Sequence, residues 1–325
     1  MCIRDRLRIF CYLITLLVLL LAVKGKRVLF FKNSYKNINS IFENFCYNGN
    51  NKNRFEKSML QVADKNDIET ELTEIFENDR VSDVPVVLFY KPESLELLAK
   101  FISGEIDRSM AIGIAGESAS GKSTIAREFI ETIENFAEDN HLGQVITRVN
   151  TDDYYYDRSE QVKKAGSMAE FVKTYDLDVP EALELDLMFT HVQKLLSGNS
   201  VMLPKYDMSG TTIRWDNHTL AEPSKIIISE GLFALTEKIR GAFDFKVYVD
   251  IDSEIQKNRF FARAEERKLG DSAKSMYKNV SQKAEIYIKP CREVADIVLS
   301  GAAPISSYRN FLNKILSVVA KLYLK

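Results

Sequence analysis

The chain has 325 residues, of which 46% are hydrophobic and 28% charged, enough for one sizeable globular domain with an appendage. Its formal net charge is −2, so the overall balance gives no basis for a nucleic-acid partner. Three of its four cysteines, Cys2, Cys11 and Cys46, lie in the first 46 residues and only Cys291 lies in the body, which excludes a disulfide framework there and points to a reducing cytoplasm.

The first 58 residues differ in character from the rest. Residues 9–23 are apolar or small apart from Thr15, with Arg4, Arg6 and Arg8 before them and Lys24, Lys26 and Arg27 after. The run is shorter than the ~20 residues of a comfortable membrane span, and no small-residue cleavage pattern follows. Residues 32–57 are dominated by Asn, Lys, Phe and Tyr with little periodicity. Two readings stand side by side: a leader foreign to the gene product, with Met59 the true start, or a genuine anchor. A membrane partner follows only from the second.

Residues 59–104 read as an N-terminal helical extension with one apolar run at 86–90. Leu95, Leu97, Leu98 and Phe101 predict an amphipathic helix ending near Gly104. A short apolar strand then runs through Ile112 and Ile114, followed by GESASGKS at 116–123. This is a phosphate-binding loop of pattern G-x-x-x-x-G-K-[ST]. Gly116 and Gly121 let backbone N–H groups turn inward on phosphate oxygens. Glu117, Ser118, Ala119 and Ser120 fill the loop, and Thr124 follows it. Lys122 carries a charge for the β- and γ-phosphates, and the Ser123 hydroxyl suits Mg²⁺. Ile125, Phe129, Ile133 and Phe136 predict the helix whose N-terminus faces the same anion. The expected donor is therefore ATP with Mg²⁺.

The next strand, at 145–149, ends in Asn150-Thr151-Asp152-Asp153-Tyr154-Tyr155-Tyr156. A carboxylate at the carboxyl end of a strand beside a phosphate loop is placed to take a proton from an attacking hydroxyl. Capping a turn is the other use for Asp152 or Asp153. Leu185, Met188, Val192 and Leu195 predict a helix opened by Pro180 and closed by Gly198. Further strands are expected at 226–229, 245–250 and 296–299. The first of them ends in Glu230, a carboxylate able to hold Mg²⁺ directly or through water. Arg259, Arg263, Arg267 and Lys268 lie along a charged helical stretch, where arginines can neutralise a transferring phosphoryl group. Phe311, Ile315, Val319 and Leu322 predict a C-terminal helix. Strands alternating with helices argue for a parallel sheet covered on both faces. His141, His191 and His218 are too scattered for a zinc site.

Taken together, residues 110–301 resemble the uridine kinase and phosphoribulokinase family of P-loop kinases. AGESASGKST is similar to the family's loop, and TDDYYYD to its acidic-aromatic segment. LDVPEALEL, LPKYDMSGTTIR, SEGLFAL, RFFARAEERK and KPCREVADIVLSG resemble later segments in order. The resemblance implies an α/β P-loop fold with a five-stranded parallel core sheet, helices on both faces and a mobile lid, spanning residues 105–325. It implies Asp152 as catalytic base, with Lys122, Arg259 and Arg263 on the transferring phosphate and Ser123 and Glu230 at the metal. Tyr155 and Tyr206 would line the acceptor pocket, and Asp178 would hold ribose hydroxyls. The implied reaction is phosphorylation of a nucleoside 5′-hydroxyl, uridine or cytidine first. A kinase for another small hydroxylated metabolite, or a regulatory NTPase, stands as the alternative. Three acceptor-side positions depart from the pattern: Val179, Met208 and Thr211 stand where the family carries a histidine, an aromatic and a second histidine; in the lid, Glu266-Arg267-Lys268 only approximates the family's E-R-G-R. A homo-oligomer is left open.

Overall fold

The computed structural model describes residues 65–270 and 272–323. The segment 1–58, with its apolar run 9–23, and Met59 lie outside the described residues. Among the described residues no helix is long and apolar enough to cross a membrane.

The first helix, α1 (Lys65–Arg80), buries Ile68, Leu72 and Phe76 on one face at four-residue spacing. A short strand, β1 (Val87–Tyr90), leads to α2 (Pro92–Ser103). Proline sits in the first turn of α2, where no N–H is needed, and Gly104 closes it at a left-handed φ of 79°. Then come β2 (Met110–Gly116), α3 (Lys122–Asp139) and β3 (Ile146–Asn150). After two short helical turns the chain forms α4 (Leu185–Leu196) and an antiparallel hairpin of β4 (Val201–Tyr206) and β5 (Arg214–Ala221). It returns through β6 (Ile226–Glu230) and β7 (Phe245–Asp250). Helices α5 (Ser253–Glu266) and α6 (Ser272–Lys283) precede β8 (Ile297–Ser300) and α7 (Ile305–Tyr323).

The main sheet has six strands in the order β1-β8-β7-β2-β6-β3. The five expected strands are all present and run parallel. The run at 86–90 adds a sixth, antiparallel to β8. Side chains alternate across this sheet, as the period of two requires. Ala111, Ala115, Val149, Ile227, Tyr248 and Val298 enter one core with α4. Ile114, Ile146, Ile228, Val247, Val249 and Leu299 enter the other, with α1, α2, α3 and α7. Burial on both faces explains why these strands read as continuous apolar runs.

Two local expectations need correction. Pro180 does not open α4. It starts a separate 3₁₀ turn, Pro180–Ala182, and Leu183 then bridges to Tyr155 before the helix begins at Leu185. The residues expected on the helix face, Leu185, Met188, Val192 and Leu195, are buried as the pattern requires. Arg267 lies just past the end of α5 as its C-cap, and Lys268 takes a left-handed φ of 55° in the turn toward α6.

Of residues 59–104, read from sequence as an extension, the described part, 65–104, contributes a strand and two helices to the same compact unit as the rest of the described chain. The Phe76 ring meets Phe311 of α7 at 5.0 Å and Tyr90 of β1 at 5.2 Å, both edge-on. Leu72 is wholly buried in the same core. Leu72→Ala is therefore expected to cost about 2–5 kcal/mol. Urea unfolding checks this, and a loss below about 1 kcal/mol would mean that α1 is an appendage rather than part of the core.

Candidate active site

Strand β2 ends where its backbone must turn sharply. A Cβ on Gly116 would lie 2.7 Å from both Ser120 Oγ and the Val249 carbonyl oxygen, so no larger residue fits. At the other end of the loop, Gly121 takes φ 99° as the N-cap of α3. With no side chain at the cap, the first-turn N–H groups of α3 are left for an anion. Ser120 is fully buried, and among the described residues its hydroxyl has no partner. Gln256 of α5 braces the loop from outside, donating Nε2 to the Ser118 carbonyl at 2.7 Å. Ala119 packs against Phe260, Ala264 and Ala273 of the α5–α6 pair.

The charged centre lies at the mouth of this loop. The half-buried Lys122 ammonium is pushed down by burial, while Asp152 and Glu230 pull it up and Arg263 adds to the lowering. Burial pushes the Asp152 carboxyl up, and Lys122 opposes that shift. The structure thus gathers Lys122, Asp152, Glu230 and Arg263 from four separate elements. Arg259 lies one helical turn from Arg263 and donates Nη1 to the Gly301 carbonyl at 2.8 Å, and a Cβ on Gly121 would come 3.7 Å from that same Nη1.

Ser123 Oγ donates to Glu230 Oε2 at 2.9 Å, and Arg148 of β3 pairs with Glu230 Oε1 at 2.8 Å. One hydroxyl and one carboxylate beside an anion cradle fit Mg²⁺, which favours hard oxygens and takes few of them from protein. Among the described residues no group of three or more His, Cys, Asp or Glu could hold a metal by itself, so water and phosphate oxygens would complete the shell.

The acidic-aromatic segment divides its work residue by residue. Asn150 Oδ1 accepts from the Asp152 N–H at 3.3 Å and so caps the turn Thr151–Tyr154. Asp152 is thereby freed of the capping role. Asp153 Oδ1 instead accepts from the Tyr206 N–H at 3.2 Å and from Lys205 at 3.1 Å, anchoring the hairpin. The buried Tyr154 hydroxyl meets His191 Nδ1 at 2.8 Å, so this histidine serves the core. Tyr155 stands with its ring 5.3 Å from that of Tyr206. Its hydroxyl is pushed well up by burial, with Asp152 and Asp178 adding to the shift.

The α6 helix closes this side. Asn279 donates Nδ2 to Asp178 Oδ2 at 3.1 Å, and Lys283 pairs with Asp176 at 2.5 Å. Tyr277 of the same helix donates to Gln256 Oε1 at 3.1 Å. One helix therefore touches Asp176 and Asp178 directly and the phosphate loop through Gln256. Arg148, Gln256, Tyr277, Asn279 and Lys283 escaped the sequence reading, since none belongs to a motif with fixed spacing.

The three departures have structural consequences. Val179 packs against the apolar core. Met208 is 65% exposed at the hairpin tip. The Thr211 hydroxyl is turned onto Asp207 of its own turn.

The sequence is similar to known proteins. Residues 111–303 match the Phosphoribulokinase / Uridine kinase family. A uridine kinase of Clostridium perfringens is 35% identical over 196 residues, covering 59% of this chain and 87% of that protein. The Halobacterium salinarum uridine kinase is 31% identical over 199 residues, covering 60% and 81%. That of Klebsiella pneumoniae is 35% identical over 192 residues, covering 58% and 85%. The match takes in the loop, the acidic-aromatic segment, the hairpin and the α5–α6 pair, and the chain belongs to the phosphoribulokinase/uridine kinase family as an ATP-dependent kinase.

Proposed function

We propose that the protein transfers the γ-phosphoryl group of ATP to the 5′-hydroxyl of a pyrimidine nucleoside, uridine or cytidine. The observation that carries this reading is that the Asp152 charge acts both on Lys122 of the phosphate loop and on the Tyr155 hydroxyl, which the Asp178 charge also reaches. In the reaction the acceptor oxygen bonds to the γ-phosphorus, the bond to the β–γ bridging oxygen breaks, and ADP leaves. Asp152 takes the hydroxyl proton. Lys122, the α3 N-terminus, Arg259 and Arg263 balance charge on the phosphoryl oxygens. Mg²⁺, held at Ser123 and Glu230, would supply further charge neutralisation. Asp178 keeps Oδ1 for vicinal hydroxyls while Asn279 occupies Oδ2. The names of the relatives support a nucleoside acceptor, and ATP as donor together with a single buried cysteine, Cys291, in the described body suits the cytoplasm.

A second reading, a kinase for another hydroxylated metabolite, rests on Val179, Met208 and Thr211. With no imidazole at the hairpin tip, base selectivity should be weak. The test is kcat/KM for uridine, cytidine, adenosine, nicotinamide riboside and ribulose 5-phosphate under equal conditions. We expect turnover of uridine with poor selectivity over cytidine. A best acceptor without a ribose-like diol would remove the nucleoside reading.

A further inference from the structure

The acceptor side is a series of neighbours. The Asp152 and Asp178 charges both act on the Tyr155 hydroxyl, the Tyr155 ring centre is 5.3 Å from that of Tyr206, and Tyr175 and Arg158 act in turn on Tyr206. The Arg158 guanidinium carbon is 4.9 Å from the centre of the Tyr175 ring and 5.4 Å from that of Tyr156. Its Nε donates to the Tyr175 hydroxyl at 3.2 Å. Its backbone N–H donates to the Thr212 carbonyl at 3.2 Å, which ties it to the hairpin turn where an imidazole is missing. Tyr175 is one residue from Asp176 and three from Asp178, so Arg158 contacts the chain segment that carries the diol carboxylate.

Among the described residues, no carboxylate pairs with Arg158, and its two terminal nitrogens have no hydrogen-bond partner. Arg158 is half-buried, so the outer edge of its fork reaches solvent and stays open to a ligand. It donates and never accepts, and its flat fork suits two oxygens at once. Contact with the Tyr156 and Tyr175 rings and the bond to the Tyr175 hydroxyl hold the guanidinium in place and leave its two terminal nitrogens open. We propose that Arg158 is a specificity-determining residue: its free fork binds an oxygen at the end of the acceptor remote from the hydroxyl being phosphorylated. That oxygen is either a ring carbonyl of a pyrimidine or a phosphate oxygen of a sugar phosphate. An acceptor presenting an amino edge there, as adenine does, meets donor against donor and is refused. The inference rests on the acceptor site read above, but it can fail separately from the choice of uridine.

Arg158→Met keeps the length of the stem and removes the fork, and Arg158→Lys keeps the charge alone. Both are compared with the unaltered enzyme on uridine, cytidine, adenosine and ribulose 5-phosphate, with ATP varied in parallel and melting temperature recorded. In Arg158→Met, kcat/KM for the wild-type enzyme's best acceptor should fall about 10- to 100-fold, the range for losing a charged hydrogen bond, while the KM for ATP stays within about twofold. A drop on uridine identifies the ring carbonyl. A drop on ribulose 5-phosphate with uridine flat identifies the phosphate, which upholds the role of Arg158 and removes the uridine reading. Arg158→Lys should recover a phosphate acceptor better than a carbonyl one, since the retained positive charge attracts an anion more strongly than a neutral carbonyl oxygen. Unchanged kcat/KM for every acceptor in Arg158→Met, an equal loss on ATP, or adenosine as best wild-type acceptor would each overturn the proposal.

Discussion

Lys122→Ala is expected to abolish phosphoryl transfer, with turnover lower by about 10³-fold or more, the scale of losing a preorganised charge at a transferring group. The loss should be this large because nothing nearby can substitute. Arg148 is committed to Glu230 at 2.8 Å, and Arg259 to the Gly301 carbonyl. Without Lys122, Asp152 and Glu230 face the incoming triphosphate with Arg263 as the remaining neighbour of this charge cluster. Like charges at short range in a partly dry site repel strongly, so ATP affinity should fall along with turnover. The protein itself should stay folded, because Lys122 makes no hydrogen bond that holds the loop: Gln256, Gly116 and the Ser120 N–H bond to the Glu117 carbonyl do that. ADP release and ATP binding, measured beside a melting curve, check this. Turnover within about tenfold of the unaltered enzyme, with folding intact, would remove the ATP-site assignment.

The same site shows which parts of the molecule can be read from sequence. The phosphate loop is legible because its constraints are local: the turn at Gly116 and the left-handed Gly121 are fixed by backbone geometry within a few residues. The five parallel strands are legible because burial on both faces makes each a continuous apolar run. Strand β1 was harder, since it is four residues long and leaves Leu88 and Phe89 partly exposed at the sheet edge. The hairpin strand β5 carries Trp215, Asp216, Asn217 and His218 on exposed positions and shows no alternation to recognise. The polar contacts that complete the site join residues far apart in the chain. Arg148 meets Glu230 across 82 positions, Asn279 meets Asp178 across 101, and Gln256 meets Ser118 across 138. No periodicity encodes such pairs; only the folded sheet and the α5–α6 pair bring them together. The Asp152 and Asp153 pair lies between these cases. Sequence places both at a strand end, and the fold then turns one toward Lys122 and the other toward Tyr206.

That division sets the second large effect. Asp152→Asn is expected to lower turnover by about 10²- to 10⁴-fold, the range for removing a general base, while ATP binding is largely kept. Asp153→Asn should behave differently. It weakens the bonds to the Tyr206 N–H and Lys205 that hold the hairpin, so the KM for the acceptor should rise more than kcat falls. If Asp153→Asn is crippled in turnover and Asp152→Asn is not, the proton goes to the neighbouring residue. The pH dependence gives an independent check. Burial raises the Asp152 carboxyl above its usual value, with Lys122 only partly opposing. A base must be ionised, so kcat/KM should fall as pH drops through this raised value, placing the acid limb above the ordinary carboxylate range near 3.8. The sign for stability runs the other way. A carboxyl whose folded value is raised stabilises the fold only below that value, and its stabilisation is lost as pH rises through it. At neutral pH the ionised Asp152 therefore costs stability, and Asp152→Asn removes the cost. The variant should melt no lower than the unaltered protein at pH 7 while its acid limb disappears. A melting temperature several degrees lower would show that Asp152 holds the fold together, and the lost turnover would then report unfolding rather than chemistry.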